Sequence, residues 1–290
     1  MMNDPAGKDA LCFANFGSGS AGNASVVWWN GTDGEPQAIL LDLGLGPRRV
    51  RDGLLSLGLA PSQVVAALLT HLDQDHFRRS WARSLEYREI PVFVQLRHAV
   101  EARSAGVPQH LMRVFEDEPE VAEGMRVSTA LVAHDDSGSV AFRIERGEAG
   151  LGFATDLGRV PDSLIEFLAG CDLVALECNH CPRMQAASPR PAFLKARITG
   201  GRGHLSNEEA IAALAAIVAQ GEPEHIVLLH LSRQCNCPKL VRRMFETALP
   251  GYADRLSITA QDRVTGPLVV ARREGRAVAA SGSLFASLDD

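Results

Sequence analysis

Four potential metal ligands follow one apolar segment, residues 64–69, within a very short stretch of chain. His71, Asp73, Asp75 and His76 lie in the sequence THLDQDH, which mixes imidazole and carboxylate side chains. Together these groups suit borderline or hard divalent ions such as zinc, manganese or iron. Such a dense set of ligand types favours a metal site over an ordinary polar loop.

The segment 64–69 that precedes these ligands is short, partly β-branched and without polar alternation. This pattern predicts a buried parallel strand, whose end would lie at the carboxyl edge of a sheet, where open α/β folds place their sites. Other predicted strands also end in candidate ligands, namely His134, Asp156, Glu177 with His180, and His230. A single histidine after a strand is usually structural, but the joint pattern indicates one site along one sheet edge.

The remaining secondary structure is predicted from the same kind of pattern. Strands are expected around a Gly/Ser-rich turn within 11–30, a helix at 48–57, and antiparallel strands at 140–145 and 150–154. The sequence SNEE at 206–209 is a capping box that opens a helix. Residues 107–126 show no clear pattern, so no element is predicted there.

The order of these motifs resembles the metallo-β-lactamase superfamily, whose signature is HxHxDH followed by a lone His, a lone Asp and a late His. The corresponding residues here are His71, Asp73, Asp75, His76, His134, Asp156 and His230. Asp42, in LLDLG, matches an aspartate that follows an early strand in that fold. Within the superfamily the chain is most similar to the WalJ/YycJ group of nuclease-like proteins. That likeness rests on SGSAGNAS, THLDQDH, TDLG, ECNH, GHLSN and HLSRQCN, in that order.

The resemblance implies an α/β fold, a four-layered αβ/βα sandwich. We expect a single domain over residues 1–290, with a core of about 11–272 and a frayed tail at 275–290. It also implies two adjacent divalent ions. Zinc or manganese is expected, with iron as a further alternative. His71, Asp73 and His134 would hold the first ion, Asp75, His76 and His230 the second, and Asp156 would bridge them.

The resemblance further implies hydrolysis of a phosphodiester by a hydroxide that bridges the metals. His204, which lies just before a predicted helix N-terminus, would protonate the leaving oxygen, and Asp75 would help to orient the water. Candidate substrate-binding residues are Ser18, Ser20, Asn23, His180, Lys195 and Arg197, with Arg78, Arg79 and Arg202 as further basic candidates. The Gly/Ser turn that carries the first three is more often only a hairpin, and the basic residues are equally typical of a solvated surface.

Asp73 departs from the superfamily pattern, which has a second histidine at that position. A carboxylate adds negative charge and hardness to the first site, which favours manganese or iron over zinc or weakens the first ion relative to the second. An empty first site would leave a one-metal enzyme or an inactive protein.

Six cysteines offer two alternatives. Cys178 and Cys181 form a CxxC motif, and Cys235 and Cys237 form a CxC motif. If their strand ends are neighbours, four thiols could hold a structural zinc ion, but buried free thiols are the preferred interpretation. Cys12 and Cys171 are predicted to be core residues.

Composition limits the remaining function classes. The chain is 46% hydrophobic and 22% charged, which is typical of a globular protein, and no apolar run approaches the ~20 residues that span a bilayer. No secretory signal is evident, so we expect a cytoplasmic protein without a membrane partner. The net charge of −6 means that binding of a polyanion requires a local basic patch or bound metal ions.

The leading hypothesis is a metal-dependent nuclease or phosphodiesterase, acting as a DNA exonuclease on nucleic acid. One alternative is a small-molecule hydrolase of the same fold that opens a lactone, thioester or cyclic phosphate, which the acidity and the 6% aromatic content favour slightly. Another is a non-catalytic sensor that holds one ion. The oligomeric state is not predicted.

Overall fold

The computed structural model describes residues 10–271, so the tail predicted at 275–290 lies outside the described residues. The strands are β1 (Leu11–Gly17), β2 (Ala24–Asn30), β3 (Pro36–Leu41), β4 (Val64–Leu68), β5 (Val92–Gln95), β6 (Met112–Phe115), β7 (Arg126–Val132), β8 (Ser139–Arg146), β9 (Ala149–Ala154), β10 (Leu173–Glu177), β11 (His225–Leu229), β12 (Leu256–Ile258) and β13 (Thr265–Val270). The helices are α1 (Pro47–Ser56), α2 (Ala82–Arg88), α3 (Ala99–Ala105), α4 (Asp162–Leu168), α5 (Pro182–Ala187), α6 (Ala192–Thr199), α7 (Asn207–Gln220) and α8 (Pro238–Ala248).

The strands form two sheets. One has seven strands in the order β13-β1-β2-β3-β4-β5-β6, and the other has six in the order β12-β11-β10-β9-β8-β7. β4 lies parallel to both β3 and β5, which confirms the buried parallel strand predicted before the ligand cluster. The predicted antiparallel pair is also confirmed, as β8 and β9.

The two sheets pack face to face, and helices cover both outer faces. Phe13 and Trp29 of the first sheet meet Phe142 and Phe153 of the second in a shared apolar layer. Helices α1 and α2 cover the outer face of the first sheet, and α4, α7 and α8 cover that of the second. Because both faces of each sheet are buried, the central strands are apolar on both sides. The predicted four-layered sandwich is therefore confirmed.

Residues 107–126, for which the sequence predicts no element, contain the strand β6. In β6, Arg113 and Val114 are exposed and only Phe115 is buried, so this strand at the end of the sheet carries little hydrophobic signal. After the ligand cluster, residues 79–81 form a 3₁₀ turn with Trp81 buried, and α2 begins at Ala82. The capping box is present as predicted, with the Ser206 side chain accepting from the Glu209 N–H.

The sequence contains no apolar run long enough to span a bilayer, and the helices can be judged by the same criterion. Within residues 10–271, no helix has the length and apolar character needed to cross a bilayer.

Candidate metal centre

The carboxyl ends of four strands deliver the predicted ligands to one place. The loop after β4 carries the cluster from His71 to His76, and β7, β9 and β11 are each followed within two residues by His134, Asp156 or His230. Asp156 and His230 have positive φ angles of 55° and 57°. Such a backbone costs about 1–3 kcal/mol per residue and is typical of functional sites, where the surrounding structure imposes it.

Five imidazole rings form a closed circuit at this place. Neighbouring ring centroids lie between 4.1 and 5.7 Å apart, in the order His71, His76, His230, His204, His134 and back to His71. The Asp156 carboxylate lies 3.0 Å from His76 Nε2 and 3.9 Å from His134 Nε2. One carboxylate therefore contacts rings on both sides of the circuit.

The ligand atoms fall into compact groups, each with its atoms within 4.8 Å of one another. One group is His71, Asp73 and His134, and another is Asp75, His76 and His230. These are the two sets that the sequence resemblance implies, residue for residue. Asp156 joins His71 and His76 in a further group, so its position is compatible with a bridging carboxylate.

The hydrogen bonds of the rings test whether these residues fit a cation. Thr70 Oγ1 donates its proton to Asp42, so at 3.0 Å it accepts from His71 Nδ1. His71 Nε2 is buried and has no hydrogen-bond partner within residues 10–271. His134 Nδ1 donates to the Gly203 carbonyl at 2.9 Å. In both rings Nε2 therefore keeps its lone pair, which is the usual state of a metal-binding histidine.

Burial also favours the neutral form of His71. Its pKa lies well below the ordinary value because burial lowers it and the neighbouring His76 lowers it further. Burial raises the pKa of the Asp156 carboxyl, but the charges of His230 and His76 outweigh that effect and hold the pKa well below its usual range. A neutral His71 imidazole beside an ionised Asp156 carboxylate is a pair of donors that suits a divalent cation.

Asp42 orients His76 from behind. It is fully buried, and its carboxylate accepts from His76 Nδ1 at 2.7 Å and from the Thr70 N–H at 2.9 Å. Asp42 is therefore a positioning residue for the cluster, consistent with its place in the sequence pattern.

We expect Asp42→Ala to lower both metal affinity and stability. Loss of a carboxylate that orients a ligand typically costs about 10–100-fold in metal affinity. The unpaired Thr70 N–H and His76 Nδ1 would lower the free energy of unfolding by about 1–3 kcal/mol. Metal titration and thermal unfolding of the metal-free protein measure the two effects. Unchanged metal affinity would contradict a positioning role.

Glu177 forms a second buried pair with His204. Glu177 Oε1 lies 2.6 Å from His204 Nδ1, and Glu177 Oε2 accepts from the Leu157 N–H at 2.7 Å. Burial lowers the pKa of His204, but the charge and hydrogen bond of Glu177 outweigh it and raise that pKa above its ordinary value. The sequence marked Glu177 as a strand-end ligand candidate. Its hydrogen bonds place it behind His204, and it also belongs to a compact group of potential ligand atoms with Asp156, His204 and His230.

A cavity of about 260 Å³ opens beside the cluster. Its lining includes Asp73, Asp75, His134, Asp156, His204 and His230, together with Ser20, Asn179, Arg190, Arg197 and Ser232. A larger cavity of about 630 Å³ adjoins it and includes Arg197 and Arg202 in its wall. Among these residues, the sequence analysis did not select Arg190, Asn179 or Ser232. The sequence signal that could have indicated Asn179 and Ser232 is their place within the ECNH and HLSRQCN motifs, whereas Arg190 lies in neither motif.

Two side chains of the Gly/Ser turn contact proposed metal ligands, and a third lines the smaller cavity. Ser20 is exposed and lines the smaller cavity. The Ser18 hydroxyl accepts from the His230 N–H at 2.8 Å, and Asn23 Nδ2 lies 2.9 Å from His76 Nε2. Ser18 and Asn23 are buried, so they are placed to hold ligands rather than to contact substrate.

Several predicted substrate residues lie elsewhere. Lys195 Nζ donates to the Ala186 carbonyl at 2.6 Å, and Arg78 donates to the Ala21 carbonyl at 2.6 Å. His180 is buried, and neither it nor Lys195 lines either cavity. Arg79 likewise lines neither. Of the predicted cations, only Arg197 lies in the wall of the smaller cavity.

The cysteines do not form a zinc site. All six are free, and within residues 10–271 no compact ligand group includes a sulfur atom. Burial raises the pKa of the Cys178 thiol well above its ordinary value, and its Sγ lies 3.2 Å from Asn207 Oδ1. Cys12 and Cys171 lie in the core, as predicted.

Comparisons with known proteins agree with this geometry. A profile described as "Beta-lactamase superfamily domain" matches residues 38–231. The chain is 28% identical over 235 residues to exodeoxyribonuclease YycJ of Bacillus anthracis, which covers 80% of this chain and 86% of that protein. It is 24% identical over 232 residues to exodeoxyribonuclease WalJ of Streptococcus pneumoniae serotype 2, which covers 79% of this chain and 84% of that protein.

Solved structures show the same fold. The metallo-β-lactamase fold protein YhfI from Bacillus subtilis has a TM-score of 0.64 at 17% identity, over 89% of this chain and 99% of that chain. A diphosphatase from the PhnP family has a TM-score of 0.61 at 15% identity, over 90% of this chain and 97% of that chain.

Proposed function

Because the chain belongs to the β-lactamase superfamily, we propose that it is a metal-dependent phosphodiesterase that degrades DNA from an end. Relatives named exodeoxyribonucleases, at 24–28% identity over most of both chains, support the DNA substrate. The main structural support is a single arrangement. Two ligand groups of three residues each lie on either side of Asp156, beside a cavity whose wall also carries Arg190 and Arg197.

The proposed ligand sets follow the two groups. His71, Asp73 and His134 would hold one ion, Asp75, His76 and His230 the other, and Asp156 would bridge them. Divalent ions bound there would supply an activated water and neutralise charge on the phosphate.

The chain's own groups perform the remaining steps of the proposed reaction. His204, whose Nδ1 is held by Glu177, lines the cavity and would give the proton of its other ring nitrogen to the leaving oxygen. Asp75, whose Oδ2 lies 3.3 Å from His230 Nε2, accepts a hydrogen bond from the attacking water.

A panel of substrates tests the proposal. The metal-loaded protein is expected to hydrolyse bis-p-nitrophenyl phosphate and to release mononucleotides from linear DNA, with no turnover of acyl esters, lactones or thioesters. Turnover of a lactone or thioester alone would replace the proposal by a small-molecule hydrolase. Binding of one ion without turnover of any ester would replace it by a sensor.

We expect Asp73→His to change which metal the first site prefers. The Asp73 carboxylate lies 3.9 Å from His71 Nε2, and its side chain is 47% exposed, so the site has room for a ring. A third imidazole in place of the hard oxygen ligand favours zinc over manganese. Elemental analysis after incubation with equal zinc and manganese measures the ratio, with Asp73→Ala as the variant that removes the ligand. An unchanged ratio in both variants would exclude Asp73 as a ligand.

A further inference from the structure

One short segment, residues 189–199, contributes four side chains to the lining of the cavity beside the ligand cluster. Arg190, Leu194, Arg197 and Ile198 from this segment all line the cavity of about 260 Å³. Most of these residues belong to α6, whose outer surface carries Phe193. The 189–199 segment therefore faces both the metal ligands and the solvent in front of them.

Arg190 differs from Arg197 in its partners. Arg197 is ion-paired with Asp135, so its charge is compensated. Arg190 donates only to neutral oxygens, those of Gln185 at 3.1 Å and of Ser232 and Gln234 at 3.4 Å each. Within the described residues no carboxylate lies in ion-pair distance of its guanidinium. Half-buried and held in place by neutral acceptors, Arg190 keeps its full charge for an anion that enters the cavity.

The contacts of Arg190 also separate it from the metal cluster. Its bonds run to Gln185, Ser232 and Gln234 and to none of the proposed metal ligands. The phosphate that is cleaved must lie between the two ligand groups. Arg190 is therefore available to a second phosphate beside the cleaved one, which the backbone of a polynucleotide supplies.

Phe193 supplies a surface for a base beside that phosphate. Its side chain is 76% exposed, which is unusual for a large aromatic ring. Residues four apart lie on one face of a helix, so Phe193 is a neighbour of Arg197, which lines the cavity, while Phe193 itself lines neither cavity. An exposed ring next to a guanidinium can stack on any base, which is how proteins bind single strands without sequence preference.

We propose that the 189–199 segment binds a nucleic-acid strand, with Arg190 holding a backbone phosphate next to the cleaved one and Phe193 stacking on an adjacent base. This inference rests on the proposed phosphodiesterase function and adds the residues that recognise the strand. Arg190 and Phe193 are binding residues in this scheme, because neither contacts the bond that is broken.

Variants of both residues separate strand binding from chemistry. Arg190→Gln is expected to lower kcat/KM on a single-stranded oligothymidylate about 10- to 100-fold, mainly through KM. Phe193→Ala is expected to lower it about 5- to 100-fold, whereas Phe193→Trp retains activity because it keeps a stacking surface. Both loss variants should lose much less activity on bis-p-nitrophenyl phosphate than on the strand, since that substrate has one phosphate and no base. Arg183→Gln, an exposed arginine of α5 outside both cavities, is the matched control.

Binding measured without turnover completes the test. Fluorescence anisotropy of a labelled phosphorothioate oligothymidylate should show weaker binding by both loss variants. For Arg190→Gln the slope of log affinity against log salt should fall by about 0.7, the value for one phosphate contact on a single strand. Wild-type strand binding by both variants would overturn the inference while leaving the proposed function intact. Equal losses on the strand and on bis-p-nitrophenyl phosphate would also overturn it. If no phosphodiester is turned over, the proposed function fails, and anisotropy alone decides whether the segment binds a strand.

Discussion

Asp156→Asn is expected to remove both metal ions and nearly all activity. The Asp156 carboxylate contacts His76 of one ligand group at 3.0 Å and lies 3.9 Å from His134 of the other. An amide has the same shape but lacks the charge that two cations would share. Residues that only orient ligands typically contribute about 10–100-fold to metal affinity or activity, and a shared ligand should exceed that range. Elemental analysis and turnover of bis-p-nitrophenyl phosphate measure the two losses.

A surface variant controls for the loss of one carboxylate. Asp52, which pairs with the neighbouring Arg51 on α1, is 55% exposed and lines neither cavity beside the cluster. Asp52→Asn should keep both ions and full activity. Loss of a single ion in Asp156→Asn would assign Asp156 to one site and contradict the bridging role. Retention of both ions would show that Asp156 is no ligand.

His204→Ala is expected to lower kcat on DNA by about 10²–10⁴-fold, the range for a general acid. The deoxyribose oxygen that leaves from DNA requires a proton, whereas p-nitrophenolate leaves readily without one. The loss on bis-p-nitrophenyl phosphate should therefore be much smaller, and the metal content should not change. Equal losses on both substrates would contradict the acid role. Loss of an ion would make His204 a ligand instead, in the compact group that it forms with Asp156, Glu177 and His230.

Glu177→Gln provides an independent test of the same pair. If Glu177 acts through His204, Glu177→Gln should slow the hydrolysis of DNA more than that of bis-p-nitrophenyl phosphate. The double variant should then be no slower than His204→Ala. Glu177 Oε2 also accepts from the backbone of Leu157 and Leu205, so a loss of about 1–3 kcal/mol in stability is expected. Thermal unfolding of each variant separates that loss from catalysis. Additive losses in the double variant would assign Glu177 a role of its own.

Local sequence was sufficient to predict the main elements and the types of ligand. The buried parallel strand β4 follows from an apolar run without polar alternation, and His71, Asp73, Asp75 and His76 follow it in one loop. The capping box at Ser206 is also contained in four residues. These features depend on neighbours in the chain, so their pattern is visible without the fold. The order of the strand ends then indicated that distant ligands share one sheet edge.

The partners of these ligands depended on the tertiary structure. Asp42 holds His76 across 34 residues, and Glu177 holds His204 across 27. Nothing in the spacing shows which strand-end carboxylate binds a metal and which binds a ring, because that depends on which acceptors the packed sheets bring into contact. Glu177 was selected from the sequence, but the backbone N–H groups of other loops occupy its second oxygen.

The same reason explains why only some of the candidate substrate residues line the cavities. Lys195 and Arg197 are two residues apart, yet one bonds to a carbonyl of α5 and the other lines the cavity. Arg190 was not selected, although its guanidinium lies in the cavity wall. The sequence by itself determined the fold, the ligand types and their order along the chain. Only the tertiary structure decided where each polar side chain points, because hydrogen-bond partners distant in sequence compete for every buried donor and acceptor.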